Sequence, residues 1–275
     1  MIREGAAMNP LAEWIGGRLG RWLSREIHVH GTSRPTPTHL LVATLQPGDV
    51  LLVEGHSRVS VAIKYLTQST WSHAALYVGD QHDRASSRSA SNEPACFVEA
   101  DIVEGIRLVG ISEFSGMHTR ICRPVGLAAG DVQRVIDYAL ARVGLQYDLK
   151  NVIDLARYMI PTPPVPTRWR RRMLSLGSGD PTRAICSTLV AQSFQSIRYP
   201  ILPIVTTVPS AMPDCPECVS EIYRVRHHSL FVPRDFDVSP YFRVVKPTVE
   251  AGFDHRQLQW DDQDAPPVSH QAGPA

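Results

Sequence analysis

A thiol hydrolase needs a cysteine whose thiolate attacks a carbonyl, a histidine that moves the proton, and an acid that orients the histidine. Three positions in this chain fit those parts. Cys186 stands between the turn-rich Gly179-Asp180-Pro181 and an apolar stripe formed by Leu189, Val190, Phe194 and Ile197. That places it near the start of a predicted helix, where unsatisfied amides and the helix dipole favour a thiolate. Its spacing to Leu189 and Val190 turns it toward the buried side. His73 lies in Trp71-Ser72-His73-Ala74-Ala75-Leu76-Tyr77-Val78, a half-buried strand pattern with little packing use for an imidazole. Glu99 stands likewise in Phe97-Val98-Glu99-Ala100. Burying a carboxylate is unfavourable without a partner, and an imidazole N–H would fix the tautomer of His73 and steady its charged form.

Each residue also has an ordinary reading. A free cysteine is most often a small buried hydrophobe, and a core histidine is most often a satisfied hydrogen-bonding group. Asp101 and Glu104 compete with Glu99 but lie nearer the strand end, where carboxylates are solvated. Cys96 and Cys122 fall in strand-like segments away from any helix start and read as packing residues.

The elements that must bring these groups together follow from periodicity. Asp49 to Val53 (after the turn Pro47-Gly48), Trp71 to Val78, Phe97 to Val103 and Thr119 to Arg123 have the β-prone character of strands. A polar loop, Gln81 to Pro94, separates the second from the third. A short helix is predicted from Val59 to Leu66. Asp131 opens a stronger one, with Val132, Val135, Ile136, Ala139, Leu140 and Val143 on one face and Gly144 as its stop. A further helix runs from Leu149 to Ile160. Pro161 to Pro181 is an irregular excursion, helix resumes near Cys186, and Ser229 to Val232 and Tyr241 to Val245 read as strands. Strands and helices without strict alternation argue for an α+β domain. In such a domain a helix lying across an antiparallel sheet can unite distant residues.

At the N-terminus, Leu11, Trp14, Ile15, Leu19, Trp22, Leu23 and Ile27 recur at helical spacing with Arg18, Arg21 and Arg25 between them. This amphipathic segment either packs on the domain or lies on a membrane surface, for which Trp, Leu and Arg are suited. His28 to Thr38 reads as an irregular linker. The expected organisation is therefore an amphipathic helix and linker over 1–38, a catalytic domain over 39–249, and a disordered polar tail over 250–275.

With 28 Lys+Arg against 27 Asp+Glu, the net charge of +1 offers no overall field for nucleic acid or an anionic membrane. Five unevenly spaced cysteines do not form a secreted disulfide framework. A reducing compartment such as the cytoplasm is expected, with residues 11–27 as the one candidate for peripheral contact with the inner membrane. No run of about 18 apolar residues predicts a membrane span. Cys215-Pro216-Glu217-Cys218 is a lone pair of thiols, and His227-His228 lack the spacing to complete a zinc site. Arg168, Arg170, Arg171 and Arg172 around Trp169 read as a solvated basic loop. No phosphate-binding or dinucleotide fingerprint occurs, so neither cofactor nor metal is expected.

The run Ile185-Cys186-Ser187-Thr188-Leu189-Val190 resembles the nucleophile helix of NlpC-type papain-like hydrolases. Leu145-Gln146-Tyr147-Asp148 resembles the tyrosine segment of that family. The order His73, Glu99, Cys186 reverses the papain order and is similar to the permuted papain-like amidases of the YiiX/YaeF group, some of them called lipoprotein-like. Pro47-Gly48-Asp49-Val50-Leu51-Leu52, Ser72-His73-Ala74-Ala75-Leu76-Tyr77 and Val98-Glu99-Ala100, followed by Gly105-Ile106, resemble successive motifs of that group between about Leu45 and Phe242. The resemblance implies a small antiparallel sheet curled against the cysteine helix and a thiol acyl-transfer site. The Cys186 backbone N–H would be an oxyanion donor, and Tyr147 either a second donor or a packed aromatic with its hydroxyl at the surface. It names no substrate. A peptide or peptidoglycan-derived amide, an acyl lipid at a membrane surface, and a non-catalytic binding role all remain open, and the intact Cys186, His73, Glu99 set argues against the last.

Overall fold

The computed structural model describes residues 25, 35–79, 93–101, 104–145, 185–209 and 219–258. Apart from a few edge positions, the expected helices at 11–27 and 149–160, the polar loop, the Pro-rich excursion, Tyr147, the arginine loop, Cys215 and Cys218 lie outside them.

Six strands form one antiparallel sheet: β1 (Val50–Glu54), β2 (His73–Tyr77), β3 (Phe97–Asp101), β4 (Gly105–Val109), β5 (His118–Pro124) and β8 (Phe242–Val245). Their order across the sheet is β4-β3-β2-β1-β5-β8. The turn before β1 needs Gly48, whose φ of 92° puts it in the left-handed region. Asp49 ties β1 to β5 through Arg123, whose Nε and Nη2 lie 2.8 and 2.7 Å from the two carboxylate oxygens. Helix α1 (Thr38–Thr44) precedes the sheet; the linker expected to reach Thr38 gives way there to a helix that buries Leu41. Helix α2 (Arg58–Thr67) starts at Ser57, whose hydroxyl accepts the Ser60 N–H at 3.1 Å.

The alternation of β side chains sorts the core into two layers. Val50, Leu52, Ala74, Leu76, Val98 and Ala100 share one cluster with Val135, Ile136 and Ala139 of α3 (Ala129–Leu140) and with Leu189, Val190 and Phe194 of α4 (Ile185–Gln195). Leu51, Val53, Ala75, Phe97 and Ile121 form the other, with Leu41 and Phe114. Leu189, Val190 and Phe194 are fully buried. Side chains of this size contribute about 1.5–3 kcal/mol each on burial, so their packing fixes where along the sheet the start of α4 falls. Ser187 adds a directional tie, its hydroxyl donating to the Phe231 carbonyl at 2.7 Å.

Further parts of the architecture differ from expectation. Ser229–Val232 is not a strand: a 3-10 turn occupies His228–Leu230, and α5 (Pro233–Val238) follows. Proline at the first helical position and Asp235, which accepts the Val232 N–H at 3.0 Å, start that helix. β4 was not anticipated. Nor was the separate two-stranded sheet of β6 (Ile204–Pro209) and β7 (Val219–Arg224), where Thr and charged residues interrupt the apolar pattern. After β8 comes α6 (Pro247–Glu250), which ends where the segment expected to be disordered begins, and a 3-10 turn at His255–Gln257 lies inside that segment. Among the described residues no helix is long and apolar enough to cross a membrane.

Candidate active site

His73 is the first residue of β2 and pairs with Val53 of β1. Glu99 is central in β3, and its backbone partner on β4 is Arg107. Pairing between β2 and β3 is confined to Leu76–Val98 and Tyr77–Phe97, the end away from His73. The imidazole nevertheless reaches the carboxylate, with Nε2 2.7 Å from Oε2 of Glu99. Cys186, the second residue of α4, is buried at 5% exposure and is a side-chain hydrogen-bond partner of His73. With Nε2 turned to Glu99, Nδ1 is the ring nitrogen left for the sulfur. The structure thus unites the three residues singled out from sequence, drawn from two strands and the first turn of one helix.

The electrostatics of the three are coupled. Burial pushes the His73 imidazole toward its neutral form, but the Cys186 thiolate and the Glu99 carboxylate, each a hydrogen-bond partner, outweigh that and hold its pKa well above the ordinary 6.5. Burial likewise works against ionised Glu99, whose side chain is only 4% exposed. His73 and Arg107 overcome it and hold the carboxyl below its usual range.

Arg107, which none of the sequence motifs marks, completes the group. Its Nε and Nη2 lie 2.9 and 2.7 Å from Oε1 of Glu99. The same guanidinium reaches Glu104 at 3.0 Å and Glu113 at 2.7 Å. The available signal was the alternation in Gly105-Ile106-Arg107-Leu108-Val109, which makes a strand that would face Glu99 with a cation. The competing acids sit as expected: Asp101 ends β3, accepting the Glu104 N–H at 2.8 Å, and Glu104 is exposed. Cys122 is buried in β5, and burial pushes its thiol far up, away from reactivity.

Residues 44–158 match the permuted papain-like amidase family, YaeF/YiiX, C92. His73, Glu99 and Arg107 fall inside the matched segment, and Cys186 lies beyond its end. The match covers less than half of the chain, and the mixed helix and antiparallel-sheet architecture is compatible with it. A solved structure described as metalloprotein yiiX from Escherichia coli O157:H7 is similar at 16% identity and a TM-score of 0.41, over 73% of this chain and 96% of that one. No curated protein matches the chain. Among the described residues no group of three or more His, Cys, Asp or Glu is arranged to hold a metal ion.

Proposed function

We propose that this protein is a cysteine hydrolase that cleaves an amide bond through an acyl-thioester, with Cys186 as nucleophile, His73 as acid and base, and Glu99 as the group that orients the imidazole. The observation that carries the reading is the chain of contacts from Cys186 to His73 to Glu99, in which the imidazole uses Nε2 for the carboxylate. In the first step Sγ bonds to the substrate carbonyl carbon and the C=O electrons move onto oxygen, where the amide of Cys186 in the first helical turn is suited to receive the charge. The oxyanion collapses, the C–N bond breaks, and His73 passes its Nδ1 proton to the leaving nitrogen. In the second step neutral His73 takes a proton from water, hydroxide adds to the thioester, and collapse of that intermediate releases the acid and restores the thiolate–imidazolium pair. Tyr147 would be an additional donor to the oxyanion.

The substrate in this reading is a peptide, peptidoglycan-derived fragment or small acyl compound. Residues 11–27 would supply peripheral contact with the inner membrane surface from the cytoplasmic side. Intact mass after exposure to peptide amides, acyl esters and phospholipids, followed by peptide mapping, tests the chemistry. The expected result is a single acyl adduct on Cys186, absent in Cys186→Ser. Acylation by phospholipid alone would move the assignment to a lipid hydrolase or acyltransferase. Adducts only on other thiols would overturn it.

A further inference from the structure

A histidine whose sole task was to stay cationic beside a thiolate would be best served by Glu99 alone. Arg107 works against that cation: it draws on the same carboxylate and brings a second positive charge close to the ring. Its placement is nevertheless tightly specified. Nε and Nη2 both address Oε1 at 2.9 and 2.7 Å, leaving Oε2 to Nε2 of His73 at 2.7 Å. The guanidinium is itself held by Glu104 and Glu113 at 3.0 and 2.7 Å, so its plane is fixed from three sides. Arginine suits this because it stays charged and presents donors in a rigid fork.

The reaction proposed above explains why a cation belongs there. Once the thiol is acylated the thiolate charge is gone, and His73 has given its proton to the leaving group. Glu99, almost completely buried, then faces a neutral ring. Without Arg107 it would have no cation among the contacts described for it, and two states would compete. Either the imidazolium persists, or its Nε2 proton passes to Glu99, which then donates to Nε2 while the ring keeps its other proton on Nδ1. Both remove the lone pair needed to accept a proton from water. We propose that Arg107 is a positioning residue for deacylation: by holding Oε1 it keeps Glu99 ionised beside neutral His73, so that the ring retains its proton on Nε2 and presents bare Nδ1 to water. This rests on the acyl-thioester reading.

Among the described residues, the charged and titratable groups around His73 are few enough to interpret a titration. Cys186 approaches from α4 and Glu99 from β3. Arg107 stands behind Glu99 with Glu104 and Glu113, and Asp101 ends the same strand. Across Val53, the next residue of β1 is Glu54, bound to Lys64 of α2 and His118 of β5.

Two measurements test the proposal in full-length protein. The first labels the histidine nitrogens with 15N and converts Cys186 to its uncharged carbamidomethyl thioether, a stand-in for the acyl-enzyme. In the parent His73 is neutral near pH 7 with its proton on Nε2. In Arg107→Gln the imidazolium persists to a pH higher by about one unit, or the proton moves to Nδ1, with Arg107→Lys in between. The second follows acetyl-Cys186 formed from p-nitrophenyl acetate. Arg107→Gln slows its decay about tenfold or more at pH 7 while changing its formation less than about threefold. A folded Arg107→Gln with unchanged His73 titration and decay overturns the inference. If that variant does not fold, Arg107→Lys decides, and parent-like behaviour in both measurements overturns it. Failure of the parent to form acetyl-Cys186 would instead sink the acyl-thioester reading, with the nitrogen spectra still judging Arg107.

Discussion

Two histidine–glutamate pairs lie side by side in the same sheet. His73 of β2 pairs with Val53 and binds Glu99 at 2.7 Å, backed by Arg107. His118 of β5 pairs with Glu54, the next residue of β1, and binds it through Nδ1 at 3.1 Å, backed by Lys64 at 3.1 Å. In side-chain types the two are alike: imidazole, carboxylate, cation. They differ in what else touches the ring and in how dry the acid is. His118 lies against Trp71, ring centroids 5.1 Å apart, whereas His73 has the sulfur of Cys186. The Glu99 side chain is 4% exposed and that of Glu54 12%. A histidine–carboxylate pair is thus a structural tie wherever strands bring one together, and it becomes a candidate for chemistry only when a nucleophile meets the other ring nitrogen.

The sharpest way to break this comparison is to remove each imidazole. His73→Ala should slow iodoacetamide alkylation of Cys186 at pH 6 by about 100-fold or more, the scale of an acid–base partner. His118→Ala should leave it within about twofold. Peptide mapping after limiting alkylation reads both, and equal losses would erase the distinction between the pairs.

Removing each carboxylate charge should have a smaller effect, visible in stability. The raised His73 pKa contributes stability that is fully present below the ordinary 6.5 and lost as pH rises through the folded value. The lowered Glu99 pKa contributes stability present above the ordinary 4.5 and lost as pH falls through the folded value. The pair therefore contributes most between those limits. Glu99→Gln should cost on the order of 3 kcal/mol at pH 6, as expected for one partner removed from a buried ion pair, and less at pH 3. Glu54→Gln, in the wetter pair, should cost about 1 kcal/mol or less. Urea unfolding at the two pH values checks the sign, and a larger loss for Glu54→Gln would reverse the ranking of the acids. The smallest effect belongs to Asp101→Asn, which should leave both alkylation and stability near the parent, within about 0.5 kcal/mol, because its carboxylate sits at the strand end. A defect matching that of Glu99→Gln would mean that the acid had been assigned one pleat too early along β3.

How legible the molecule was depended on whether the signal was local. The strands of His73 and Glu99 and the helices at 58–67 and 129–140 follow from periodicity and turn residues within each segment. Ser229–Val232 looked like a strand because its apolar residues are β-prone, but the proline and Asp235 that start α5 prevailed. The sequence determined which side chains carry thiol, imidazole and carboxylate chemistry, and that Cys186 begins an apolar-faced helix. Only the tertiary structure decided that His73, not the similarly equipped His118, meets the sulfur, and that Arg107 stands behind Glu99. Those choices depend on strand register and on where α4 crosses the sheet. Both are set by burial summed over many apolar contacts between residues far apart in the chain, which no local window of sequence contains.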